Sequence, residues 1–151
     1  MNSITLPLQA DGPLVAIQIG FPAPQIQAMR KQGLAIPAPI QVFALIDSGA
    51  EASFIDTTAF APIRFAGLVH RRIVITNIPA LGGVNAAMEY AVGLRILHPS
   101  NDPKRDLVVG RHDIFEQSLG ALGYQALIGR DILSRCMFIL DGPSNSFTLA
   151  Y

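Results

Sequence analysis

Residues 14–20, the mostly apolar run Leu14-Val15-Ala16-Ile17-Gln18-Ile19 closed by Gly20, form a β-type pattern that predicts an early strand. Residues 41–46 carry a continuous apolar run, Val42-Phe43-Ala44-Leu45-Ile46, which predicts a buried strand. Between them lie prolines 22, 24, 37 and 39, so the segment reads as an excursion, with residues 25–32 able to make a short helix before Gly33. Extended structure resumes at 52–55, and Asp56 caps a short helical turn that Pro62 is expected to end. Residues 71–78 and 87–97 are β-rich arms around Gly82-Gly83, a pair suited to a hairpin tip. Residues 98–103 form a loop by composition, 106–110 a strand, and 114–119 show no decided period. Ala126-Leu127-Ile128 predicts a second buried strand, running through Gly129 into a helix at 130–135 with Ile132, Leu133 and Cys136 inward. A hairpin at 137–140 and 146–151, turning over Asp141-Gly142-Pro143-Ser144-Asn145, completes an all-β pattern. Ala44-Leu45-Ile46 and Ala126-Leu127-Ile128 form a faint internal repeat, which predicts two similar strand-turn units.

The chain has 151 residues, half of them hydrophobic and 15% charged, which fits one domain over 1–151 with ample material for a core. Its formal net charge is zero, which argues against nucleic acid or an anionic membrane as partner, and Arg71-Arg72 and Lys104-Arg105 read as solvated pairs. A lone Cys136 excludes an internal disulfide framework. The first residues lack the pattern of a signal peptide, and no apolar run approaches the roughly 20 residues that span a bilayer, so a cytoplasmic protein is expected.

One residue breaks the apolar logic. The run at 42–46 delivers Asp47 into Ser48-Gly49-Ala50, and an unpaired carboxylate behind a buried strand is costly unless it is used. The motif occurs once. His70, His98 and His112 lack metal-ligand spacing; Asp102, Asp106 and Asp113 read as solvated, and Asp131 and Asp141 as helix-start and turn residues.

Taken together, Leu14 to Gly20, Leu45-Ile46-Asp47-Ser48-Gly49-Ala50, the arms around Gly82-Gly83, and Leu127-Ile128-Gly129-Arg130-Asp131-Ile132-Leu133 resemble, in order, the retropepsin-like aspartic peptidases, single-domain homodimeric relatives of pepsin. The resemblance implies an all-β acid-protease barrel with a flap hairpin and one short C-terminal helix. It implies an endopeptidase in which Asp47 from each of two chains activates water, without metal or organic cofactor, on an extended peptide or protein substrate. Ser48 would then lock the carboxylates across the dimer, with Gly49 and Ala50 completing the loop, and Leu81, Gly82, Gly83 and Val84 would form the flap tip that closes on substrate. On the residues alone, the Gly-Gly pair is equally an ordinary turn. Glu51 and Arg130 fall where viral relatives carry an ion pair beneath the loop; otherwise they are independent surface charges. The hairpin after Cys136 is similar to the cellular, DNA-damage-inducible type, whose C-terminal strands dominate the dimer interface. Two alternatives stand beside this one: a silent peptide-binding or regulatory module on the same fold, and an unrelated barrel in which Asp47 caps a turn.

Overall fold

The computed structural model describes residues 1–68, 70–78, 83–120 and 122–151, with the backbone alone at 70–78, 84 and 85. In chain order the elements are β1 (Ser3–Pro7), β2 (Leu14–Gly20), α1 (Ala23–Lys31), β3 (Ile40–Ile46), β4 (Phe54–Asp56), α2 (Thr57–Phe65), β5 (His70–Ile78) and β6 (Gly83–Ile96). A 3₁₀ turn (Pro103–Arg105) then leads to β7 (Leu107–Gln117), β8 (Ala126–Ile128), α3 (Arg130–Leu133), β9 (Met137–Asp141) and β10 (Ser146–Ala150). Among the described residues no helix is long and apolar enough to cross a membrane.

Seven strands form one sheet in the order β2-β3-β8-β4-β7-β6-β5, and it curls into a barrel because β2 also pairs with β6, from Ile17 opposite Ile96 to Gly20 opposite Gly93. The long β6 pairs with three strands, β5, β7 and β2, and a bulge between Val92 and Leu94 bends it. At that bend a Cβ on Gly93 would stand 2.8 Å from the Phe21 carbonyl oxygen, so only glycine fits. The alternation seen in β2 places Val15, Ile17 and Ile19 inside, where they meet Ile46, Ile55, Phe60, Ile63, Leu94, Ile114 and Ile132 in the main core. A second sheet, β1-β10-β9, closes the barrel's end by contributing Ile4, Phe147 and Leu149 to that core. The internal repeat is a register: β3 and β8 pair in parallel with Ala44, Leu45 and Ile46 opposite Ala126, Leu127 and Ile128.

Some expectations give way. Pro62 does not end its helix; α2 runs on to Phe65. Pro62 is exposed, Phe60 and Ile63 are buried, and Asp56 accepts from the backbone of Thr58 and Ala59, so capping and burial outweigh one missing backbone bond. Residues 107–117 form one continuous strand, with 114–117 as its inner half. The helix expected at 25–32 forms as α1, and with α2 it adds two nine-residue helices to the one short C-terminal helix of the implied barrel. Asp106 is not solvated: its side chain is 7% exposed, pairs with Arg95 at 3.1 Å, and accepts from the His98 backbone N–H.

Candidate active site

β3 ends where its hydrogen-bonding partner ends. The Asp47 backbone N–H donates to the Ile128 carbonyl of β8 at 2.9 Å, and the chain then turns, with the Ala50 N–H donating to the Asp47 carbonyl. Within that turn the Gly49 N–H donates to Asp47 Oδ1 at 2.9 Å. A Cβ at Gly49 would stand 3.1 Å from Oδ1, crowding the carboxylate it serves. Asp47 is half-buried, Ser48 and Gly49 are exposed, and among the described residues nothing donates to Oδ2. One oxygen is therefore fixed by the loop, and the other takes no donor from the described residues.

The loop rests on a polar latch. Ser53, fully buried, donates from its N–H to Asp131 Oδ2 (2.9 Å) and from Oγ to Oδ1 (2.7 Å), while its Oγ accepts from the Gly129 N–H. His112 Nε2 on β7 lies 2.8 Å from Asp131 Oδ2. Burial raises the Asp131 carboxyl, but hydrogen bonds from His112 and Ser53 outweigh it and hold the group below the usual carboxylate range. The backbone N–H groups of Arg130 and Asp131 donate to the carbonyls of Ala50 and Glu51, so the first turn of α3 is tied directly to the loop. Gly129 makes this approach possible, since a Cβ there would stand 2.6 Å from the Ala52 carbonyl carbon.

Arg130 and Glu51 do meet, with Nη2 3.7 Å from Oε1, but both are exposed, at 51% and 92%, rather than buried beneath the loop. The shorter contact of Arg130 is Nη1 to the Ser48 carbonyl at 2.9 Å. Leu81 and Gly82 lie outside the described residues. Gly83 opens β6 opposite Ile78 with φ +98°, and Val84 pairs with Asn77 through the backbone; the Val84 side chain is outside the description. Beside the loop, an open depression of about 340 Å³ is lined by Ser48, Arg130, Leu133, Ser134 and Phe138. A second groove of about 260 Å³, between the proline-rich segment and β6–β7, shares no residue with the Asp47 loop.

Sequence reasoning placed Asp131 only at a helix start and missed Ser53 and His112. The serine follows the motif closely enough to have been a candidate, but nothing local connects His112 with Asp131, since the contact is made by strand packing. Among the described residues no group of His, Cys, Asp or Glu side chains is placed to hold a metal ion.

No family model and no curated protein matches the sequence. Solved structures do. The chain is similar to a retropepsin-like aspartic protease from Rickettsia conorii, at 18% identity and a TM-score of 0.54, over 99% of this chain and 90% of that one. The protease of EIAV complexed with the inhibitor HBY-793 aligns at 18% identity, TM-score 0.43, over 82% of this chain and 86% of that one. The retroviral protease-like domain of Ddi1 from Leishmania major aligns at 15% identity, TM-score 0.43, over 91% and 88%. A closed barrel, an Asp-Ser-Gly loop at the end of β3 and full-length overlap with the rickettsial structure give this chain the retropepsin-like aspartic protease fold.

Proposed function

We propose that residues 1–151 form one aspartic endopeptidase domain, active as a two-fold homodimer with one Asp47 from each copy. The observation that carries this is the Asp47 loop: a carboxylate held on one side by the Gly49 N–H and given no donor on the other by the described residues, on an exposed turn supplied once per chain. Two-fold pairing through that turn would bring two such carboxylates together. Like charges in hydrogen-bond reach do not both ionise, so the pair shares one proton. The ionised member takes a proton from water as the oxygen attacks the peptide carbonyl, and the protonated member donates to the carbonyl oxygen. Collapse of the tetrahedral diol breaks the C–N bond, with the proton passed to the leaving amine. The titration belongs to the pair, not to either copy.

The surface around the loop supports a second copy as partner. Ser48 is exposed beside the depression, Phe138 links that depression to β9, and the exposed Met137, Ile139 and Leu140 lie along β9, one of the two edge strands of its sheet. An extended peptide would lie in the cleft so formed. The apolar cluster of Phe54, Leu119 and Leu127, with Leu45, Phe115 and Tyr124 against it, supplies apolar walls near the loop.

The test is digestion of a peptide library from acidic to neutral pH, with Asp47→Asn as control. Cleavage by the wild type and none by a folded Asp47→Asn protein is the expected result. A dimer that binds peptides without cutting any would identify a silent binding module instead, and activity retained in Asp47→Asn would remove Asp47 from the chemistry.

A further inference from the structure

The loop between β1 and β2 places a carboxylate on the rim of the same site. Gln9 and Gly12 exchange backbone hydrogen bonds at 3.0 Å, leaving Ala10 and Asp11 as the tip of a two-residue hairpin. Both flanks of that hairpin are anchored: the Leu8 N–H donates to the Asn145 carbonyl, and the Pro13 carbonyl accepts from the Ile46 N–H, one residue before Asp47. A side chain on Gly12 would touch Leu45 Cδ1, and one on Gly123 would overlap the Asp11 carboxylate. Asp11 therefore stands over the segment that leads into Tyr124. The Tyr124 hydroxyl is raised first by burial and then by the charges of Asp11 and Asp47, so the phenol lies within the field of both carboxylates. Asp11 is exposed and makes no ion pair among the described residues.

The chemistry of this corner has two parts in sequence. Leu45 and Tyr124 belong to one apolar cluster, and a solvent-facing carboxylate stands at its margin. An aliphatic stem ending in a cation matches that order, since lysine and arginine bury their methylenes and keep the charged head at the boundary. A glutamate or aspartate in the same place would meet a like charge.

We propose that Asp11 is a specificity-determining residue, selecting substrates with a lysine or arginine at one position flanking the cleaved bond, its stem along Leu45 and Tyr124. This rests on the endopeptidase assignment above. The full-length protein would be given a peptide library and cleavage sites mapped by mass spectrometry, for the wild type, Asp11→Asn and Asp11→Lys. The readout is the ratio of kcat/KM for matched peptides with lysine or norleucine at the selected position. The expected ratio favours lysine by about three- to tenfold, as for a charge pair at a partly exposed site, and falls toward one in Asp11→Asn. In Asp11→Lys the preference turns to glutamate. Added salt should erode the wild-type preference. Cleavage without a basic preference, or one that survives in Asp11→Asn, overturns the proposal. An Asp11→Asn effect on dimer dissociation alone, with the ratio unchanged, overturns it too, assigning Asp11 to the contact between copies. Cleavage of no peptide at all would overturn the endopeptidase assignment itself.

Discussion

At the scale of the residue, the depressed Asp131 carboxyl links the stability of the loop's support to pH. Its carboxylate receives Ser53 twice and faces His112, and the net effect holds its pKa below the ordinary range. A group whose folded pKa is depressed contributes stability that is complete above its unfolded value, about 3.9 for aspartate, and that is lost as pH falls through the lower folded value. Replacing Asp131 with Asn leaves Ser53 and His112 with a poorer partner and should cost about 1–3 kcal/mol near neutrality. The melting-temperature gap between wild type and Asp131→Asn should narrow as the pH falls below the unfolded aspartate value. A gap that widened there would show that Asp131 is not ionised in the folded protein. Asp47 was legible from sequence because the anomaly is local, a charge at the end of an apolar run. Ser53, His112 and Asp131 were not legible as a unit, because their joining depends on β7 passing beside α3.

At the scale of the element, the seam between the Asp47 loop and α3 depends on the absence of a side chain. Gly129→Ala would force the loop carbonyls away from the helix and should cost about 1–3 kcal/mol or more by overpacking. Chemical denaturation measures it, and cleavage should fall with it, since Ala50 and Glu51 are bonded to the same turn. In α2 the sign reverses. Pro62 is exposed and sits within the helix without donating a backbone bond. Pro62→Ala should raise the unfolding free energy by about 2 kcal/mol, a helix-interior penalty of about 3 less roughly 0.4–1 of unfolded-state entropy that proline removes, and so shift the denaturation midpoint upward. A lower midpoint would mean the ring packs usefully where it is. Proline chemistry alone predicts a break at this point; burial of Phe60 and Ile63 against the barrel decides otherwise.

At the scale of the whole molecule, one surface remains to be accounted for. Met137, Ile139 and Leu140 are 56%, 49% and 58% exposed on an edge strand, continuous through Phe138 with the depression beside Ser48. An unprotected apolar edge invites strand pairing. If this edge seats the second copy, specific activity should rise with protein concentration, and Ile139→Glu should shift the sedimenting species to monomer while lowering activity. A monodisperse, active Ile139→Glu monomer would contradict the shared site.

The sequence by itself determined the strand pattern, the β3–β8 repeat and the place of the Asp47 carboxylate at the end of an apolar run, because periodicity, a run of apolar residues and a charge in the wrong place are short-range properties. Only the tertiary structure decided how long α2 runs, that Asp106 is buried against Arg95, which histidine supports the loop, and that Asp11 shares a corner with Tyr124. Each of those depends on which elements pack together. Packing is settled by burial summed over the barrel, a quantity that no local stretch of residues contains.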